Sequence, residues 1–218
     1  MCKVSIIPIT FNSEPYLGDT LRSVAEQKYP NSEQIVIDGG STDGTLETIR
    51  RHERSIDKWL SEPDDGIADA INKGLDLASG YFILFLHSDE YLHSPEVNSR
   101  ATEYLDDEHD VFLFRIFLEL SRNRKLRHPR GFSWWINFKT GVYHQSAICA
   151  SRLFEHIERF DTDLTIAMDY DFFLRAYRHG ICPRVVSLPI SVMRLIGVSS
   201  QLDWRSLRAR FDAVSYTH

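Results

Sequence analysis

The chain has 218 residues, with 25 Lys+Arg against 31 Asp+Glu and a formal net charge of −6. Its 43% apolar and 26% charged residues suit a globular fold, and at roughly 100–200 residues per domain the length suits one domain. The acidic balance argues against a nucleic-acid partner bound by phosphate neutralisation, and three cysteines (Cys2, Cys149, Cys182) are too few for a disulfide framework.

Val4 to Ile9 is a short β-branched run that reads as a buried strand. Ser13-Glu14-Pro15 opens a helix with Pro in its first turn, and Leu17, Leu21 and Val24 follow at helical spacing. Gln34 to Ile37 is a second strand, running into the loop Asp38-Gly39-Gly40-Ser41-Thr42-Asp43-Gly44. Leu46 and Ile49 mark a second helix, and Trp59-Leu60 a short third strand. Ile67, Ala70, Ile71, Gly74, Leu75 and Ala78 form one apolar helical face. Tyr81 to Leu86 is a fourth strand that ends in His87-Ser88-Asp89-Glu90.

The second half is less regular. Val111 to Leu120 and the Arg-rich stretch after it form a hairpin or an extended excursion. Ser146 to Ala150 reads as a strand, Asp169 to His179 as a helix, and Val185-Val186 as a last strand. Trp204 to Val214 reads as an amphipathic helix whose Arg205, Arg208 and Arg210 offer a surface for another subunit. No run approaches the ~18 apolar residues of a membrane span, and MCKVSIIPIT lacks a signal-peptide core. With the sparse cysteines, the expected location is cytoplasmic.

Short apolar runs alternating with amphipathic helices imply βαβ units and a mixed, mostly parallel sheet flanked by helices. Ligands of such α/β sheets bind beyond the carboxyl ends of the strands. Four polar clusters fall there: Thr10 to Asn12, Asp38 to Asp43, Ser61 to Asp65, and His87 to Glu90.

Asp89, at a strand end, suits a hard divalent cation, Mn2+ or Mg2+, which completes its shell with phosphate and water. The alternative is a solvated turn. Asp38 can accept hydrogen bonds from a base or ribose, and Gly39 lets the backbone approach a ligand. The alternative is a tight βα turn with Asp43 capping the helix. Asp65, Asp69, Asn72 and Lys73 lie along the third helix and its approach, a cluster that opens at a strand end; the alternative, an exposed Asp–Lys pair, suits Asp76 better than this cluster. Asp169 suits a general base if it faces the crevice, or else it serves the helix dipole, as Asp171 is expected to. GxGxxG and Walker loops are absent, which disfavours a dehydrogenase.

Taken in order, the segments Ser5 to Asn12, Asp38 to Thr45 and Ser61 to Gly74 resemble glycosyltransferase family 2. His144-Gln145, Ala167 to Asp171 and Gly197-Val198-Ser199 add to the likeness, which spans roughly residues 4–200 and is greatest to bacterial makers of surface polysaccharide. The resemblance implies a GT-A fold, a Rossmann-like nucleotide-diphospho-sugar transferase architecture. It implies a metal-dependent inverting transferase, with a nucleoside-diphosphate sugar (UDP expected) as donor and a glycan or lipid-linked acceptor.

The same resemblance implies roles. Thr10, Asn12 and Glu14 would line the nucleoside pocket, and Asp38 with Gly39 would meet the base. Asp65, Lys73 and Ser88 would sit near base or phosphates. Asp89 would bind the metal, Asp169 would be the general base, and His144 and Gln145 would lie on the acceptor side. His87 and Glu90 stand where the family usually carries Asp or Asn and Asp. That departure keeps a rival reading in play, a non-catalytic nucleotide-sugar-binding partner subunit. A nucleotidyltransferase is disfavoured, because Val4 to Asn12 lacks its Gly-rich basic signature.

The expected layout is a single domain with a nucleotide-binding half (1–90), an acceptor and catalytic half (91–200) and a terminal helix (201–218). Little length is left for a separate acceptor domain. The basic, aromatic stretch Arg122 to Lys139 is the candidate for acceptor contact or for peripheral contact at the inner membrane face. The alternative is a solvated hairpin with its tryptophans in the core.

Overall fold

The computed structural model describes residues 2–120, 123–138, 141–164 and 167–195. The expected helix over 204–214 and the Gly197-Val198-Ser199 motif lie outside these residues.

The first half follows the sequence pattern closely. It runs β1 (Val4–Thr10), α1 (Glu14–Ala25), β2 (Ser32–Asp38), α2 (Thr45–His52), β3 (Lys58–Ser61), α3 (Ile67–Leu77) and β4 (Phe82–His87). Pro15 sits in the first turn of α1, where its missing N–H costs no hydrogen bond. The strands pair in the order β3-β2-β1-β4, parallel throughout, so their carboxyl ends share one edge. The chain fills the sheet on one side of β1 and then crosses to the other. The crevice of such a sheet therefore opens between the ends of β1 and β4.

Side-chain alternation explains why this half is buried on both faces. In β1, Ile7 and Ile9 join one core cluster, while Val4 and Ile6 join another. In β4, Ile83 and Phe85 face the first cluster, and Phe82, Leu84 and Leu86 the second. Fully burying one such side chain is worth about 1.5–3 kcal/mol. Helix α3 lies close on the sheet at Gly74, where an added Cβ would fall 2.7 Å from Ile7 Cγ2.

The second half adds β5 (Glu90–Leu92), α4 (Val97–Thr102), β6 (Val111–Leu120), β7 (Asn123–Arg127), β8 (Ala147–Ala150), α5 (Leu153–His156), α6 (Met168–Arg178) and β9 (Arg184–Arg194). The full order is β3-β2-β1-β4-β8-β6-β9-β5, with β7 paired to β6. The hairpin alternative for 111–127 is the one adopted. Strand β9 is far longer than Val185-Val186. Its Pro189 lies opposite Arg115, where the β6–β9 register shifts; a residue without an N–H is tolerated at such a bulge.

Candidate active site

The site begins with loops that brace one another. Asp38, at the end of β2, is wholly buried. Its Oδ2 accepts from Ser61 Oγ (2.7 Å), the Ser41 amide (3.0 Å) and the Gly40 amide (3.2 Å). Its Oδ1 accepts from the Ser41 hydroxyl. The sequence reading put this carboxylate on the base. The structure instead spends its lone pairs inside the fold, because a carboxylate buried at a strand end recruits the donors around it.

Gly39 is likewise covered from within. A Cβ there would fall 2.2 Å from Asp64 Oδ2, so the Asp64 carboxylate overlies the glycine backbone. Asn12 has φ +47°. Its Oδ1 accepts from the Thr42 amide (2.9 Å), and its own amide donates to Ser41 Oγ (2.8 Å). Asp43 joins two helix starts by accepting from the Glu14 amide (3.2 Å) and the Thr45 amide (3.0 Å). Burial would raise Asp43, but its bonds with Thr45 and Glu14 outweigh that and hold the carboxyl below its ordinary value. The cap position of α2 is Gly44, not Asp43; from one residue further out, Asp43 instead bonds the first amide of α2 and the first amide of α1. Glu14 itself is exposed.

Thr10 is buried, and its hydroxyl has no hydrogen-bond partner. It ends β1 at the crevice. The Ser88 hydroxyl reaches across to Ser13 Oγ at 2.7 Å, tying the β4 end to the β1 loop. Lys73 lies 3.0 Å from Glu62, 3.0 Å from Asp69 and 2.9 Å from the Pro63 carbonyl. It thus pins the β3–α3 loop, in which Asp65 is exposed. The i,i+4 Asp69–Lys73 pair, the alternative to a binding cluster, forms, half-buried rather than exposed. The Asn72 side chain is structural, donating to the Phe160 carbonyl at 2.8 Å.

A second group gathers at the end of β4. Strand β8 pairs antiparallel with β4, with Leu84 opposite Ile148. Carrying that register forward sets His87 opposite Gln145. Their neighbours meet accordingly: the His87 and His144 rings lie 4.7 Å apart, edge to face. His144 Nδ1 is 3.3 Å from Asp169 Oδ2, at the start of α6. Ala167, at φ +69°, turns the chain into that helix. Glu90 is buried, accepts from the His87 amide at 2.8 Å and is hydrogen-bonded by Gln145. Asp171 behaves as expected for a structural acid, pairing with Arg175 at 2.8 Å.

Electrostatics separates the two imidazoles. Burial, with the charge of His144, drives His87 down to about 3, so it is neutral. Burial pulls on His144 too, but Asp169, Glu90 and Asp89 outweigh it and raise its affinity for a proton. Burial works to raise Asp169; the hydrogen bond and charge of His144 prevail and keep it below the usual carboxylate value. Burial is also the main reason Glu90 rises to about 7 and Asp89 rises.

Sequence reasoning missed Arg194, at the end of β9. Its guanidinium lies 4.8 Å over the Tyr91 ring, 2.7 Å from Asp19 and 3.4 Å from Glu119. Its charge also favours the ionised form of Asp89. One signal was available: a lone arginine closing the largely apolar run Leu188 to Met193.

Among the described residues, no three His, Cys, Asp or Glu side chains gather as a metal cage. The donor set still fits one hard cation. Asp89 supplies a carboxylate, and Mg2+ or Mn2+ draws its remaining ligands from phosphate and water.

The parallel half-sheet, with acids and a paired His–Asp beyond its strand ends, has the form of an α/β fold that binds its ligand at that edge. The profile of glycosyl transferase family 2 matches residues 5–183. An uncharacterized glycosyltransferase of Mycobacterium tuberculosis is 38% identical over 181 residues, covering 79% of this chain and 68% of the relative. The PGL/p-HBAD biosynthesis glycosyltransferase of Mycobacterium bovis is 29% identical over 177 residues, covering 79% and 69%. The structure of Staphylococcus aureus TarS 1-349 in complex with UDP-GlcNAc has a TM-score of 0.75 at 23% identity, covering 95% of this chain and 64% of that one. This chain belongs to glycosyl transferase family 2, with the GT-A fold, and is a glycosyltransferase. It spans about two thirds of its mycobacterial relatives and 36% of the longer TarS chain.

Proposed function

We propose that the protein is a metal-dependent inverting transferase of cell-surface polysaccharide synthesis. It moves a sugar from a nucleoside-diphosphate donor, UDP by preference, to a glycan or lipid-linked acceptor. The observation that carries this reading is the contact of His144 with Asp169 at the end of β4, with Asp89 near enough for its charge to act on His144. UDP as the nucleotide is supported by the TarS complexes with UDP and UDP-GlcNAc. Metal use is supported by a Pyrobaculum calidifontis mannosyltransferase of the same fold, solved with GDP-Man and Mn2+.

The reaction is a single displacement. The acceptor oxygen bonds to the anomeric carbon while the bond from that carbon to the diphosphate breaks. Asp169 takes the hydroxyl proton, a contribution typically of about 10²–10⁴-fold. His144 orients Asp169 and keeps it ionised, with His87 neutral behind it. Asp89 would hold the divalent cation, which when bound neutralises charge on the nucleoside-diphosphate leaving group. Thr10 and Asn12 would edge the nucleoside pocket, with Glu14 at its rim. Asp38 and Gly39 would shape its floor through the loop. Asp65, Lys73 and Ser88 would border base and phosphates, and Gln145 the acceptor side. The site works at the cytoplasmic face.

One observation favours the rival reading of a non-catalytic donor-binding subunit. Glu90 is engaged internally with the His87 amide and Gln145. The test is turnover of UDP-sugars with Mn2+, read as UDP release and as inversion at the product's anomeric carbon. Donor binding without turnover, on a range of saccharide and lipid-linked acceptors, would select the rival.

A further inference from the structure

The tryptophans of the basic stretch are not in the core. Trp134, Trp135 and Phe138 are 60%, 66% and 65% exposed, while Ile136 between them is buried. The three rings pack on each other, with Trp134 5.3 Å from Trp135 and 4.8 Å from Phe138. Nothing among the described residues covers them. Beside them opens a cavity of about 820 Å³, lined in part by Leu126, Arg127, Arg130, Trp135, Val142 and Tyr143.

Charge singles out this face. Residues 123–138 hold four Lys or Arg and no Asp or Glu, in a chain of net charge −6. Arg124 is paired with Glu119 at 2.9 Å. Lys125, Arg127 and Arg130 are exposed, with no acidic partner among the described residues. An anionic surface would repel the molecule as a whole and attract this face. Exposed tryptophans flanked by lysine and arginine match a lipid interface, where the rings settle at headgroup level and the cations meet anionic heads.

We propose that the face formed by Trp134, Trp135, Phe138 and the unpaired Lys125, Arg127 and Arg130 docks on an anionic lipid surface. Its position gives the docking a use. Val142 and Tyr143, in the cavity wall, lead directly into His144 of the candidate site. Resting on the transferase reading above, the docked face presents a lipid-linked acceptor to His144 and Asp169 from the membrane plane. The docking itself does not depend on turnover.

The experiment is co-sedimentation of the full chain with phosphatidylcholine vesicles, with and without phosphatidylglycerol. The wild type is expected to pellet with the anionic vesicles only, with a blue shift of tryptophan emission. Each basic residue near such a surface is worth about fivefold in partition. The double variant Lys125→Glu, Arg127→Glu should therefore lose at least about 20-fold. Trp134→Ser with Trp135→Ser should lose binding as well. Both variants should keep the wild-type melting temperature and donor-induced thermal shift. Failure of the wild type to pellet, equal binding to neutral vesicles, or wild-type affinity in both folded variants would overturn the proposal. Loss of the donor shift in a wild type that still pellets would count against the transferase reading alone.

Discussion

His144 Nδ1 stands 3.3 Å from Asp169 Oδ2, joining the turn before β8 to the first turn of α6. Neither residue is near the other in sequence, and the pair sits where β4 delivers Asp89. His144 keeps the Asp169 carboxyl ionised, the state that the proposed role as general base requires.

Asp169→Asn removes the proton acceptor and keeps the shape. The expected outcome is a fall in kcat of about 10²–10⁴-fold with the donor KM little changed. Steady-state kinetics of UDP release checks it. A variant at wild-type rate would remove Asp169 from the reaction.

His144→Gln keeps a hydrogen-bond partner and deletes the charge. His144 holds Asp169 below its ordinary value against the pull of burial. Without it, the Asp169 pKa rises, and a base must be deprotonated to act. The acid limb of the kcat profile should therefore move to higher pH. An unshifted limb with a lower plateau would mean that His144 serves packing alone.

Asp89→Asn tests the metal reading. The expected outcome is loss of the Mn2+-dependent part of the thermal shift given by a UDP-sugar, since a ligand stabilises by mass action only while it binds. An unchanged shift would place the cation elsewhere.

Glu33 governs acid stability far from the site. Burial would raise its pKa, but bonds from Ser5, Lys3 and Ser79 hold it at about 2, against 4.5 when free. The group is 4% exposed. A depressed carboxylate stabilises fully above its unfolded pKa and loses that as pH falls through the folded value. The contribution, on the order of 3 kcal/mol at neutral pH, should fade between about pH 4.5 and 2. Glu33→Gln should flatten melting temperature against pH across that window.

Gly74→Ala probes how closely α3 lies on the sheet. Overpacking typically costs about 1–3 kcal/mol, and the helix regains about 1 kcal/mol from the better helix former. The buried Ile7 methyl, 2.7 Å from the new Cβ, has little room to yield. A net loss of about 1 kcal/mol in urea unfolding is expected.

Much of the first half was legible. Strands β1, β2, β3 and β4 announce themselves as short apolar runs, and each is closed by polar residues on the shared edge. Strand β5 and helices α4 and α5 were not read, because three to six residues carry too little periodicity to stand out. Arg194 was missed because its partners Asp19, Tyr91 and Glu119 come from three other elements.

The residue order alone determined a parallel α/β half, the strand-end positions of Asp38 and Asp89, and membership of a transferase family. Those features depend on side-chain periodicity and local turn chemistry, which act over a few residues. Only the tertiary structure decided that Asp38 turns inward, that His144 meets Asp169, and that Trp134 and Trp135 face outward. Each outcome is a competition for donors, partners or buried space among segments tens of residues apart. Strand register settles it: once Leu84 lies opposite Ile148, the turn at His144 must come to the end of β4.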